Sequence, residues 1–371
     1  MVPDTISVLR RHPQAKWVGL VLVAAALLAL PLVLATVGTA WVRITNLAIL
    51  FVMLSLGLNI VVGFAGLLDL GYIAFYAVGA YVYALLASPH FNLHWPWWAI
   101  LPIGAAVACL FGVLLGAPTL KLRGDYLAIV TLGFGEIVRI FLNNLSEPFN
   151  LTNGPKGLTT IDPIKVAGID FANTTRIGDL ALSGTIKYYY FLLVVLVLIV
   201  ILNLRLQDSR IGRAWEAIRE DELAARSMGI NTRNMKLLAF AMGASFGGIA
   251  GGMFSSIQGF ISPESFILTE SVMVLSMVVL GGMGNIWGVI LGAILLSFVP
   301  EILRYTVGAD VQARLFGRSL IDPEVIRMLL FGLALVLMMR FRPEGLLPSK
   351  TVEAELAESR RGQPATIGGA R

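Results

Sequence analysis

The sequence predicts an all-α polytopic membrane protein with about eight to ten transmembrane helices and short helices in its inner loops. Three observations lead there. Of 371 residues, 57% are hydrophobic and only 14% charged, against roughly 25% charged in an average soluble domain. The apolar residues gather into runs approaching the roughly 20 that a helix needs to cross a hydrocarbon core. A strongly charged stretch, 205–236, stands between two such runs with seven basic and five acidic residues.

A basic segment, 1–16, carries Arg10, Arg11 and Lys16 and leads into the first run, Trp17 to Val37. That run holds 21 residues, longer than the apolar part of a signal peptide, so it reads as a retained helix. The following runs are Ile44 to Val62, Gly71 to Ala87, Trp97 to Leu120, Tyr126 to Leu142, Tyr188 to Leu204 and Leu237 to Phe260. Ser271 to Leu280, Trp287 to Val299 and Val325 to Arg340 are shorter or flanked by glycine, and Gly281 to Gly284 reads as a turn between half-helices or a re-entrant bend. The membrane domain is thus 17–348, and 349–371 is a polar tail expected to be disordered. With ten spans and an inner N-terminus, 18 Lys and Arg fall in inner loops and eight in outer ones. Positive-inside bias therefore predicts both termini in the cytoplasm.

The net charge of +5 is spread over loops, including Lys121 and Arg123, and forms no patch for nucleic acid. Cys109 is the single cysteine, so no internal disulfide is possible. His90 and His94, with Phe91, Trp95, Trp97 and Trp98, read as an interfacial belt at an outer end; two histidines without a third ligand do not make a metal site. No catalytic set, cofactor motif or phosphate-binding GxxxxGK is present, and the GFGE at Gly133 lies inside an apolar run. If nucleotide hydrolysis powers this protein, the ATPase is another chain.

Glycines recur every four residues at Gly243, Gly247 and Gly251, at Gly248 and Gly252, at Gly112 and Gly116, and at Gly284, Gly288 and Gly292. Small residues at that interval let helices approach closely in lipid. Charge within the runs is sparse. Glu136 and Arg139 are three apart and face one another as a pair, structural or on a pathway, while Asp69 and Glu270 sit near the starts of runs. One pair is a thin basis for the carboxylate relay of an ion-driven carrier.

The charged loop has helix-end chemistry. Glu220, Asp221 and Glu222 suit the start of a short helix, Arg226 its end, and Gly229 its cap. A preceding helix carries Ile211, Trp215 and Ile218 on one face, which reads as an apolar ridge with an exposed Trp215, offered to a partner's groove. The outer loop, 143–187, holds a turn at Asn153, Gly154 and Pro155, and Asp162, Asp170 and Asp179 balance its lysines. It reads as a cover for the pore mouth or a seat for a partner.

The loop resembles the EAA-type loop of ABC importer permeases, with Glu216 and Ala217 in the first two positions, Ile218 in the third, and Gly229 further along than the usual spacing. More specifically, the chain resembles LivM-type permeases of branched-chain amino acid importers. The likeness rests on GRAWEAIREDELAARSMGIN at Gly212 to Asn231, KLLAFAMGASFGGIAGGMF at Lys236 to Phe254 and NLAILFVMLSLGLNIVVGFAGLLDLGYIAFYAVGAY at Asn46 to Tyr81. LRGDYLAIVTLGFGEIVR at Leu122 to Arg139, LTNGPKGL at Leu151 to Leu158 and GGMGNIWGVILGA at Gly281 to Ala293 extend it. The resemblance implies a bacterial plasma-membrane subunit that works with a second permease, two ATPase subunits and a periplasmic binding protein delivering leucine, isoleucine or valine. Importers of urea or short amides share much of such a scaffold. In that setting the inner helices are coupling helices, with Arg213, Glu216, Arg219, Glu220 and Arg226 as expected polar contacts to the ATPase and Trp215 and Ile218 as apolar anchors.

Overall fold

Main-chain N–H and C=O groups find no water inside a bilayer, so each long apolar run is driven to pair them within itself as a helix. The computed structural model describes residues 13–307, except 120, 121, 123, 148, 149, 167, 178 and 179, together with scattered positions from 329 to 347. Among them the helices are α1 (Pro13–Val37), α2 (Thr39–Asn59), α3 (Ile73–Leu86), α4 (Trp97–Thr119), α5 (Asp125–Asn144) and α6 (Gly184–Gln207). Two short helices follow, α7 (Arg210–Glu220) and α8 (Glu222–Ser227), and then α9 (Thr232–Gln258), α10 (Leu268–Gly281) and α11 (Ile286–Val307).

Five of the described segments are long and apolar enough to cross a membrane: Thr39–Phe64, Trp97–Thr119, Gly184–Gln207, Thr232–Gln258 and Pro263–Gly281. Val21–Val37, Ile73–Leu86 and Ile286–Ile302 are shorter apolar helices. The predicted helical membrane architecture is thus observed, with short strands confined to the connections on one side. The tenth predicted run, Val325 to Arg340, falls mostly outside the described residues, as do 1–12 and the tail 349–371.

The core is organised around α9, and its glycines explain why. Gly243, Gly247 and Gly251 face α2 and α3: a Cβ on Gly251 would lie 2.0 Å from the Tyr76 carbonyl oxygen, and one on Gly243 would lie 2.9 Å from that of Gly57. Gly248 and Gly252 turn toward α4, where Gly248 meets Ala108 and the Gly104 carbonyl. Gly79 of α3 closes the same crossing against the backbone of Gly248. The Tyr72 hydroxyl donates to the Gly243 carbonyl at 2.9 Å and ties the start of α3 to α9.

Helices α10 and α11 form a hairpin whose backbones meet at Gly281, Gly288 and Gly292. Their connection runs through Gly282 at φ 112° and Gly284 at φ 86°, a conformation that excludes most side chains. The runs here look short in sequence because Pro263–Phe266 adds a 3₁₀ turn before α10 and α11 continues to Val307.

The outer loop is more ordered than a plain cover. It contains β1 (Leu158–Thr159), β2 (Lys165–Val166), β3 (Ile169–Asp170), β4 (Thr175–Ile177) and β5 (Leu180–Leu182), and a sixth short strand, β6 (Phe260–Ile261), follows α9. β2 pairs antiparallel with β3 and β4 with β5, while β1 pairs with β6, placing Leu158 opposite Ile261. Asn153, at φ 60°, opens the turn Gly154–Lys156. The buried Lys187 amine donates to the Asp170 and Asn173 carbonyls and the Thr175 hydroxyl at 2.9, 2.6 and 2.6 Å. His94 meets the Asp162 carboxylate and His90 the Asn150 carbonyl, so both histidines hold the loop. Trp95 and Trp98 remain exposed, as a belt requires. Asp179 lies outside the described residues.

Candidate functional site

The end of the bundle opposite this loop carries the charged stretch. Ser209 caps α7, its hydroxyl accepting from the Ile211 and Gly212 amides at 3.1 and 3.2 Å. Asp221 caps α8 in the same way, accepting from Leu223 and Ala224 at 2.8 and 3.1 Å. Each cap satisfies amides that a helix start leaves unpaired. Gly229, at φ 86°, ends the unit. Glu222 binds Lys236 at 2.7 Å, tying α8 to the start of α9, and Arg226 of its own helix at 3.6 Å. Asp221 and Glu222 open the second helix as expected, whereas Glu220, expected there too, closes α7 instead, because Asp221 turns extended and breaks the helix between them.

Their orientation differs from the expectation. Trp215 is 0% exposed and Ile218 is buried, and the Trp215 indole donates to the Met235 carbonyl at 2.7 Å. The ridge Ile211, Trp215, Ile218 is a seat for α7 on its own chain and presents no exposed tryptophan. Hydrophobic burial favours this: the amphipathic face is covered by the nearest apolar surface, here α9. Arg219 also turns inward, donating to the Gly63 carbonyl at 2.5 Å.

The outward face carries Arg213, Glu216, Glu220, Arg226 and Gly229, all exposed. Beside them stand Leu223, 62% exposed, and Met228, 83% exposed, which the sequence reading passed over. The signal was available: in a helix capped by Asp221, inward-facing Ala225 leaves Leu223 on the opposite side.

A second feature lies where α2 ends. The helix closes in a π-helical turn, Ile60–Phe64, in which the Ala65 amide donates to the Ile60 carbonyl at 3.1 Å. Residues 65–72 then run without regular structure to α3, with Gly66 and Leu68 exposed and Leu67, Asp69 and Gly71 buried. Asp69 is fully buried there, with Oδ1 accepting from the Gly71 amide at 2.9 Å. The Leu70 amide donates to the Thr131 hydroxyl, and the Ser271 hydroxyl donates to the Leu70 carbonyl.

Glu136 and Arg139 form the expected pair on α5 at 2.9 Å, both part-exposed, and Arg139 also reaches Glu264 at 3.6 Å. This links α5 to the turn before α10. The described residues bring together no group of three His, Cys, Asp or Glu side chains able to hold a metal.

A glycine-packed bundle of apolar helices, with a capped helical loop at one end, defines a multi-pass membrane protein. Residues 40–339 match the family model described as branched-chain amino acid transport system, permease component, and the chain belongs to that family. It is 45% identical over 333 residues to the high-affinity branched-chain amino acid transport system permease protein LivM of Escherichia coli, covering 86% of this chain and 73% of the relative. The LivM protein of Salmonella typhimurium is 42% identical over 327 residues, covering 85% of this chain and 72% of the relative. The LivH permease of Escherichia coli is 32% identical over 101 residues, 27% of this chain and 32% of the relative. No solved structure matches.

Proposed function

We propose that this chain is the membrane-spanning permease subunit of an ABC importer that takes up leucine, isoleucine and valine. It acts in the bacterial plasma membrane with both termini in the cytoplasm. The observation that carries the substrate class is the 45% identity to a branched-chain amino acid permease over 86% of the chain. The likeness to LivH, named as a permease of the same transport system, supports pairing with a second, related permease. A periplasmic binding protein delivers the substrate, and the outer loop offers it an ordered surface.

Two separate ATPase subunits supply the energy at α7 and α8. The outward face of Arg213, Glu216, Glu220 and Arg226 provides contacts of both signs, and Leu223 and Met228 provide the apolar anchors first assigned to Trp215 and Ile218. Transport requires that this face bind the two states of the ATPase pair unequally, since equal binding would shift nothing.

The complex in proteoliposomes, with binding protein outside and ATP inside, is expected to accumulate leucine and to continue when an uncoupler collapses ion gradients. Uptake that survives removal of the ATPases, or that stops with the uncoupler, would contradict the proposal. Competition by valine and not by urea is expected, and the reverse would replace the substrate.

A further inference from the structure

Arg219 sits in the last turn of α7 with its side chain directed into the bundle. Its guanidinium bonds the Gly63 carbonyl inside the π-helical turn, and its stem crosses Gly66, where an added Cβ would lie 2.8 Å from Cγ. Gly66 holds φ 67°, so both the space and the backbone there suit glycine. On the far side of the same turn, the Gly284 amide donates to Asn59 Oδ1 at 2.9 Å, and a Cβ on Gly63 would lie 2.6 Å from that amide nitrogen. Arg219, the π-helical turn and the α10–α11 connection are therefore stacked in direct contact. From this turn the chain continues through residues 65–72 to α3.

We propose that Arg219 is the positioning residue through which a displacement of α7 reaches the end of α2, and that it does not belong to the surface meeting the ATPase. The inference rests on the reading of this chain as a permease driven by separate ATPases. A cationic donor on a carbonyl makes a stronger and more directional link than apolar contact alone. A π-helical turn is a short irregular element that commonly marks functional positions, and it passes directly into unwound chain. Pulling on Gly63 shifts a junction shared by α2, the unwound segment and the α10–α11 hairpin. Trp215 keeps α7 seated, and Arg219 moves what lies beneath it.

The test uses the complete complex with its binding protein, carrying Arg219→Ala, Arg219→Lys, Gly66→Ala or, as a surface control, Arg213→Ala. Co-purified ATPase, ATP hydrolysis and leucine transported per ATP are measured together. Arg219→Ala is expected to keep the ATPases and their hydrolysis while leucine per ATP falls about tenfold or more, the scale of losing a charge-assisted bond from a two-state equilibrium. Arg219→Lys restores much of the ratio, because an ammonium still donates to the carbonyl. Gly66→Ala displaces the Arg219 stem and lowers the same ratio. Arg213→Ala lowers ATPase retention instead. Wild-type coupling in Arg219→Ala, or loss of ATPase from it as from Arg213→Ala, overturns the inference alone. Failure of the unmutated chain to hold ATPases overturns the proposed function and the inference with it. If Arg219→Ala does not fold, unaltered coupling in Gly66→Ala still decides against the inference.

Discussion

Replacing Gly79 with alanine is expected to destabilise the folded bundle strongly, whereas the same change at Gly133 is expected to be harmless. A Cβ on Gly79 would lie 2.1 Å from the Gly248 carbonyl oxygen and 2.5 Å from its Cα. Both are backbone atoms of α9 and cannot swing aside like a side-chain tip. Gly248 is held in turn against Gly104 and Ala108 of α4, so moving α9 away from α3 drives it into α4. Overpacking in cores costs about 1–3 kcal/mol, and a backbone clash clamped from both sides belongs at or above the upper limit. Against the marginal stability of most folds, roughly 5–15 kcal/mol, that is a large fraction. On Gly133 a Cβ meets nothing within 4 Å, and alanine favours the helix by up to about 1 kcal/mol. Thermal midpoint and monodisperse yield in detergent measure both. Equal behaviour of the two variants would show that the α3–α9 crossing is not as close as described.

Trp215→Ala is the second large effect. The side chain is fully buried and anchored to the Met235 carbonyl. Truncating a buried tryptophan costs about 3–5 kcal/mol. The loss falls on α7, which lies at one end of the bundle, so the membrane helices are expected to stay folded while the loop loosens. Trypsin should then cut at the Arg and Lys residues of 205–236 many times faster than in the parent, and uptake should fail. Glu216→Ala, on the exposed face of the same helix, should leave stability within about 0.5 kcal/mol. Protease resistance of Trp215→Ala equal to that of the parent would mean that α7 is not seated by this residue.

The ends of α8 were legible because helix ends are written locally, in Asp221, Glu222, Arg226 and Gly229, while the division between α7 and α8 at Asp221 was not, since Glu220 suits either side by charge. The glycine spacing of α9 announced close packing for the same reason: four residues return to one helix face. Which way α7 faces was not legible. The spacing of Ile211, Trp215 and Ile218 defines an apolar face but not the surface that covers it, and α9 of the same chain covers it before any partner does. The gap between the runs Ile44 to Val62 and Gly71 to Ala87 was legible as a connection, but not that Asp69 within it is fully buried, nor that Leu70 is tied to Thr131 and Ser271, because those partners lie far away in sequence. The pairing of Leu158 with Ile261 joins segments over a hundred residues apart, beyond the reach of local pattern.

The two faces of the α7–α8 unit are distinguished most directly by single cysteines in a Cys109→Ala background. Met228→Cys and Ile218→Cys would be exposed to a membrane-impermeant maleimide in inside-out vesicles, with and without the ATPase subunits. Rapid labelling of Met228→Cys that the ATPases suppress, together with little labelling of Ile218→Cys in either state, is the predicted result. Ready labelling of Ile218→Cys, protected by the ATPases while Met228→Cys is not, would contradict it and return the partner to the face that the structure buries.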